Sequence, residues 1–303
     1  MSWDLPPLGA IRVFEAAARL GSFTKAAEEL GMTQSAASYQ IKVLEERAGT
    51  PLFIRKIRQI ALTEAGERLA PQITGAFSAL ADAWVNMKGG ANGVLSVTTA
   101  ETFASNWLAM RLGVFQLMHP DLAVKLETSP RLVDLTREDV DIGIRTGNGK
   151  WPGLTSHYLF KIDYTPLLSP ALAASVGGLH HPEDIYKVPL CCADDPWWKS
   201  WFEAAGVPFD PERIIAGPVL GTQTYDAMAA ITNQGAAILT RNLYGVFLTN
   251  GQLIQPFEAM GSDGDCYWLV YSEGRRNAPK IRVFRDWILA QTADIRERER
   301  RQT

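Results

Sequence analysis

Between residues 34 and 42 the chain presents Gln34, Ser35, Ser38, Tyr39 and Lys42, spaced so that a helix would set them apart from Ala37, Ile41 and Leu44. These are side chains that work by hydrogen bonding and charge. Gln can pair bidentately with an adenine edge, Ser can reach phosphates or base edges, and Lys can neutralise a phosphate. A second set follows at Arg55, Lys56 and Arg58, three cations in four residues, which repel one another unless a polyanion screens them. A third is made of hydroxyls at expected strand-to-helix junctions: Thr102 after VLSVTTAE, and Thr222 and Thr224 in GTQTYD. A hydroxyl beside the free N–H groups of a helix start suits a carboxylate or another small anion. An isolated Thr in such a place more often simply caps its own helix.

The elements that position the first set are legible from apolar spacing and stop signals. Leu8, Ile11, Phe14, Ala17 and Ala18 predict a helix over 8–20, with Pro7 suited to its first turn and Gly21 to its end. Ser22 opens a second helix over 23–30, and Thr33 caps a third from Gln34 to about Ala48. Only Gly31, Met32 and Thr33 separate the two, the pattern of a helix-turn-helix whose second member enters a DNA groove. On that reading Ser22 and Thr33, at the two helix starts, join the DNA-facing set. PLFIRKIRQIAL at 51–62 predicts a two-stranded wing that lays Arg55, Lys56 and Arg58 on the phosphate backbone or in the minor groove.

Residues 1–62 carry eight basic against six acidic residues, a net charge of +2, so one copy would grip a duplex modestly and two copies better. From Thr63 to Lys88, Leu69, Ile73, Ala76, Leu80, Ala83 and Met87 recur at alternating intervals of four and three, a heptad seam for pairing two chains. Pro71 should bend it. Gly89, Gly90, Asn92 and Gly93 mark a hinge.

The stretch GSFTKAAEELGMTQSAASYQIKVLEERAGTPLFIRKIRQIALTEAGERL resembles the winged helix-turn-helix and linker start of LysR-type transcriptional regulators, through its AAEEL, TQSA, LEE, PLF and LTEAG elements in order. Tyr39 stands where that family often has Arg or His. The resemblance implies a DNA-binding regulator of promoter DNA, a homodimer or homotetramer, with an effector domain similar to periplasmic solute-binding proteins. Contact with RNA polymerase would accompany such a role.

Beyond the hinge, strand and helix patterns alternate. Strands are expected at 94–99, 123–128, 141–145, 165–168, 188–192, 236–240, 252–257 and 266–271, and helices at 102–118, 136–140, 224–234 and 281 to about 296. That argues for an α/β unit with a largely parallel sheet, divided into two lobes by crossings near Ile162 and Asp265. The expected organisation is multi-domain: a winged helix-turn-helix of helical type at 1–62, a linker and dimerisation helix at 63–90, and a two-lobed α/β effector domain at 91–303. Its first lobe takes 91–162 and 266–303, its second 163–265. AETFASNWLAMRLGVF, DIGIRTGNGKWPGL and NQGAAILTRNLYG resemble the branch holding glycine-cleavage activators and β-lactamase regulators. This implies effector contacts at Thr102, Asp134, Thr222 or Thr224, and Tyr267, with Thr128 at the end of the second strand as a further candidate.

Composition narrows the alternatives. In 303 residues, 30 Lys and Arg face 33 Asp and Glu, a formal charge of −3, so any basic surface is local. Cys191, Cys192 and Cys266 form no disulfide framework or CxxC pair and suit a reducing cytoplasm, where a regulator of this kind would sit on the nucleoid. The opening MSWDLPPLGA does not read as an export signal, and no stretch reaches the ~20 apolar residues of a membrane span. There is no GxSxG or HExxH, and His119, His157, His180 and His181 show no ligand spacing. GIRTGNGK at 143–150 departs from a phosphate loop in spacing and in its following Trp151. No enzyme activity, metal or cofactor is therefore expected. Trp197, Trp198 and Trp201 are read as a core patch.

Overall fold

The computed structural model describes residues 5–56, 59–87, 93–129, 135 and 140–302. The first helix, α1 (Leu8–Leu20), buries Ala10, Ile11, Val13, Phe14, Ala16 and Ala17 and ends where Gly21 turns left-handed at φ 61°. In α2 (Phe23–Glu29) the Ser22 hydroxyl accepts from the Lys25 N–H at 3.3 Å, and in α3 (Gln34–Ala48) the Thr33 hydroxyl accepts from Ala36 N–H at 3.2 Å. Arg19 reaches both Glu15 and Glu29, tying α1 to α2 and holding the Glu29 carboxyl below its ordinary range.

The wing consists of antiparallel β1 (Phe53–Lys56) and β2 (Gln59–Leu62). Phe53 lies against Phe14 and Phe23, with centroids 5.5 and 5.1 Å apart. Glu45 of α3 accepts from the Leu52 and Phe53 N–H groups at 2.7 and 3.1 Å, so the wing is hydrogen-bonded directly to the helix beside it.

The linker is α4 (Glu64–Met87), capped by Thr63, whose hydroxyl accepts from Gly66 N–H and donates to the Pro51 carbonyl. Pro71 lies inside it. The expected heptad seam divides into two parts. Leu69 and Ile73, with Phe77, pack against the amino-terminal core of their own chain, whereas Ala76 and Leu80 are exposed, with Trp84 also exposed along the helix. Apolar spacing alone does not tell an intrachain partner from an interchain one, so the front of the stripe is already covered.

In the second unit, β3 (Gly93–Thr99) leads into α5 (Glu101–Phe103), a single π turn (Ala104–Leu108) and α6 (Ala109–Met118), together the one helix expected there. Then come β4 (Leu122–Thr128), β5 (Ile142–Gly147), β6 (Leu154–Leu167), α7 (Pro170–Ser175), α8 (Pro196–Ala204), α9 (Gln223–Ile231), β7 (Ala237–Thr240), α10 (Gly245–Thr249), β8 (Gly261–Ser272), α11 (Pro279–Gln291) and α12 (Ala293–Gln302).

The sheet order is β4-β3-β5-β8-β6-β7. It is mixed rather than largely parallel. β3 runs parallel to β4 and β5, but β8 and β6 pair antiparallel with each other and with β5 and β7 respectively. The cause is that β6 and β8 are long strands that pass between the two halves in opposite directions, so the run expected at 165–168 is only the end of β6.

Two expected strands are absent. Residues 188–192 and 252–257 contribute isolated bridges at Leu190 and Ile254, and Pro189 and Pro256 withdraw ladder donors there. The expected helix at 136–140 lies largely outside the described residues. The terminal helix is broken at Thr292, whose hydroxyl bonds back to the Ile288 carbonyl at 2.9 Å. Trp198 and Trp201 are fully buried, while Trp197 stacks on Tyr164 at 4.1 Å and donates to Asp263.

Candidate functional site

The exposed face of α3 follows from its burial pattern. Ala37, Ile41 and Leu44 point into the core, which leaves Gln34, Ser35, Tyr39 and Lys42 exposed and Ser38 half-buried along the outer side. Tyr39 is 64% exposed, large for an aromatic with nothing to cover it. Lys42 is paired with Glu46 at 3.6 Å, a solvated pair that a phosphate could displace at little cost. Ser22 and Thr33 are engaged as caps, and Thr33 also shares a hydrogen bond with Ser35 at 3.0 Å. Their hydroxyls therefore set the helix starts first. Arg55 and Lys56 lie on β1 opposite Ile60 and Gln59, beside the Glu45 clamp, and Arg58 falls outside the described residues.

A second concentration of polar groups lies where the two halves of the sheet meet. Asn106, only 2% exposed and inside the π turn, directs its Nδ2 at three oxygens: the Thr102 carbonyl at 3.0 Å, the Thr224 hydroxyl at 3.0 Å and the Tyr244 hydroxyl at 3.4 Å. Thr102 and Thr224 are thus brought together across the lobes through one amide. π turns recur at functional sites because the extra residue re-aims a side chain, and here it sits where Asn106 bridges.

Thr222 is the cap of α9, accepting from Tyr225 N–H at 3.5 Å, while Gln223 accepts from Thr240 N–H at 2.9 Å and joins the start of α9 to the end of β7. Of the two hydroxyls left open by the sequence, Thr224 faces the other lobe. Tyr267 on β8 is buried against Phe103 at 5.0 Å and Phe160 at 5.3 Å, which places it behind the Thr102 turn. Burial pushes the Tyr267 phenol upward, and burial together with the nearby Tyr267 does the same to Tyr244, so both stay neutral. Thr128, register partner of Thr99, is exposed on the edge strand; Asp134 lies outside the described residues.

Two hydroxyls that sequence reasoning did not single out mark the same place. Thr99 ends β3 and Thr240 ends β7; both are fully buried, and neither Oγ1 has a hydrogen-bond partner among the described residues. Buried hydroxyls are nearly always satisfied, so a pair at the carboxyl ends of strands in opposite lobes points to a missing polar partner. Asn106 and Tyr244 were missed as well. The available signal was weak: an Asn amid the apolar residues of 103–108, and a Tyr near the end of NQGAAILTRNLYG.

With Asn106 amide, threonine hydroxyls, neutral phenols and the start of α9 at one place, the cleft is built to hydrogen-bond a small polar or anionic molecule. Among the described residues, no group of three or more His, Cys, Asp or Glu is placed to hold a metal, and no helix is long and apolar enough to cross a membrane.

Comparison with known proteins bears on both places. Residues 8–67 match the model of the bacterial regulatory helix-turn-helix protein, lysR family, and residues 88–293 match the LysR substrate binding domain. The HTH-type transcriptional activator AmpR of Rhodobacter capsulatus is 36% identical over 290 residues, 95% of this chain and 98% of the relative. The glycine cleavage system transcriptional activator of Escherichia coli K12 is 36% identical over 302 residues, 99% of this chain and 98% of the relative. Among solved structures, the effector domain of the transcriptional regulator AmpR of Pseudomonas aeruginosa superposes with a TM-score of 0.56 at 30% identity, covering 70% of this chain and all (100%) of that one. These relatives are regulators of transcription, a kind of protein not known for enzymatic activity.

Proposed function

Because this chain belongs to the LysR family of bacterial helix-turn-helix regulators, we propose that α3 enters the major groove with Gln34, Ser35, Ser38, Tyr39 and Lys42 toward the bases and phosphates. Arg55, Lys56 and Arg58 of the wing then grip the flanking backbone, and Ser22 and Thr33 approach phosphates at the helix starts. The protein is a DNA-binding transcriptional regulator with an effector-binding domain. This reading divides the chain at 62/63 and 90/91, with the lobes exchanging at 162/163 and 265/266.

The effector site of this reading is the interlobe cleft. Thr102 and Thr224 would hold a small anionic effector, with Tyr267 behind them, Asp134 and Thr128 on its flank and Thr222 shaping the helix start. The observation that carries it is the Asn106 bridge flanked by two unsatisfied threonine hydroxyls, one from each lobe. A ligand that satisfied Thr99 and Thr240 would favour the arrangement in which both reach it, and so change the presentation of the DNA-binding heads.

A second copy completes the regulator. Met110, Val114 and Leu117 on α6, and Val219, Leu220, Tyr225 and Met228 before and along α9, are large apolar residues 41–84% exposed. A two-fold pairing that lays the α6 patch of one copy on the α9 patch of the other covers both sets twice over. The assembled dimer or tetramer would act on the nucleoid in the cytoplasm and contact RNA polymerase there.

The test is binding of full-length protein to its own promoter and to a scrambled duplex, followed by fluorescence anisotropy over a salt series. The double substitution Gln34→Ala/Arg55→Ala should remove the preference for promoter and flatten the salt slope by about one unit for the lost phosphate contact. Equal affinity of the unaltered protein for both duplexes defeats the proposal.

A further inference from the structure

The groove between α6, the segment following β7 and the elbow of α11 and α12 contains charge that the cleft just described does not use. It is a cavity of about 710 Å³ into which Arg111 projects from the first lobe, Arg241 from the second and Arg298 from α12. Arg111 is half-buried, lies 4.4 Å over the Trp107 ring and donates to the Trp107 carbonyl at 2.9 Å. Arg241 is half-buried and donates through Nε to Gln255 at 2.7 Å. Each guanidinium is oriented by neutral partners, and neither forms an ion pair with a carboxylate among the described residues.

The physical cost of this arrangement is visible. Burial lowers the pKa of both Arg111 and Arg241, and at Arg241 the neighbouring Arg298 charge adds to it; no acid acts in the opposite sense. Asp294, exposed in the first turn of α12, is the one acidic residue lining the cavity among those described. An adjoining cavity shares Arg241 and Arg298 and adds Asp163, Glu258 and Glu299. Asp163 is paired with Lys161 at 3.2 Å, and Glu299 accepts from the Tyr158 hydroxyl and the Lys161 N–H. Half-buried arginines not paired with a carboxylate are costly unless something else supplies the negative charge. The remaining wall is mixed: Val246, Leu248 and Ile295 give it an apolar part, and Asn242, Thr249, Asn250 and Gln291 a neutral polar one.

We propose that this groove is a second ligand site, separate from the Thr102–Thr224 cleft, that takes a small multivalent oxyanion with a short apolar body between Arg111 and Arg241. The forked guanidinium geometry matches carboxylate and phosphate oxygens alike, which is the chemistry the two lobes would share in closing on it. Because Arg111 and Arg241 come from opposite lobes, the bound anion relieves the repulsion between Arg241 and Arg298 and fastens the lobes to each other at a point beyond the Asn106 bridge. The inference stands whether or not the Thr102–Thr224 cleft holds the effector.

Isothermal titration of the full-length protein with pyrophosphate and with citrate, against chloride at matched ionic strength, tests it. At least one of the two should bind saturably at one site per chain, pyrophosphate assigning a phosphorylated ligand and citrate a polycarboxylate. Arg241→Gln should weaken that binding at least tenfold, with Arg241→Lys intermediate, and Arg298→Gln, at an exposed position where folding is not at stake, by a smaller factor. Arg55→Ala should leave it in place. Absence of saturable binding for both probes, binding that survives Arg241→Gln, or binding lost with Arg55→Ala, which would put the anion on the DNA face, overturns the proposal.

Discussion

Gly274→Ala is the perturbation that reports most directly on how the effector domain meets the linker helix. The turn that follows β8 crosses α4 with two glycines face to face: a Cβ on Gly274 would stand 2.6 Å from the Gly75 Cα, and a Cβ on Gly75 would stand 3.0 Å from the Gly274 Cα. Ordinary contact is 3.4–4 Å, so the crossing must open by roughly 1 Å to admit one methyl, an overpacking that costs about 1–3 kcal/mol. Neither glycine has a positive φ, so alanine is compatible with the backbone at both.

In the middle of a helix, Gly75→Ala also regains about 1 kcal/mol of helix propensity, which offsets part of its overlap, whereas Gly274→Ala has no such compensation. The turn cannot easily retreat. Arg275 is paired with Asp141 at 3.1 Å and Lys280 with the same buried carboxylate at 2.7 Å, and the strand that feeds the turn carries Tyr267. Urea denaturation of the full chain should therefore show Gly274→Ala destabilised by about 1–3 kcal/mol, Gly75→Ala by less, and the double variant by less than the sum, because one methyl has already parted the surfaces. The promoter bend angle should shift in the same variants. Two neutral, additive substitutions would refute the reasoning, since they would mean the helix and the turn do not touch.

Two further outcomes follow from the cleft. Asn106→Leu keeps the volume and deletes the Nδ2 that serves Thr102, Thr224 and Tyr244, so it should cost about 1–3 kcal/mol in denaturant unfolding and loosen the lobes to proteolysis; unchanged stability would remove Asn106 as the bridge. Asp226 on α9 is buried, with Cys192 Sγ as its hydrogen-bond donor, and burial raises its carboxyl pKa above the ordinary value of 3.8. The folded state thus holds this proton to higher pH than the unfolded one, and the group's contribution to stability falls as pH rises above that ordinary value. Asp226→Asn should stabilise the protein at about neutral pH, with the gain shrinking toward about pH 4, measured by thermal melts across that range; a gain that grows on acidification would contradict the assignment.

What the residues announced by themselves was local. Short-range hydrogen bonds made the helix starts at Ser22 and Thr33 readable, a 3.6-residue period made α1 and α3 readable, and Gly21 marked the end of α1 with left-handed backbone. The same locality made the outward face of α3 legible. Heptad spacing at Leu69 and Ile73 was legible too, but what those residues pack on was not. Strand candidates at 188–192 and 252–257 had the right composition but meet their neighbours only in isolated bridges, a fact that no window of sequence contains.

The cleft divides in the same way. Thr102, Thr222 and Thr224 could be found as hydroxyls at helix starts, because capping depends on residues three apart. Which of them faces the other lobe, and that Asn106, Thr99, Tyr244 and Thr240 gather with them, depends on two long antiparallel strands carrying β3 and β7 to one another across more than a hundred residues of chain. Arg111 and Arg241 stand 130 positions apart in the sequence and share one groove for the same reason. Short-range geometry is written in residue order, whereas the meeting of distant side chains is decided only when the sheet closes and the two lobes fold against it.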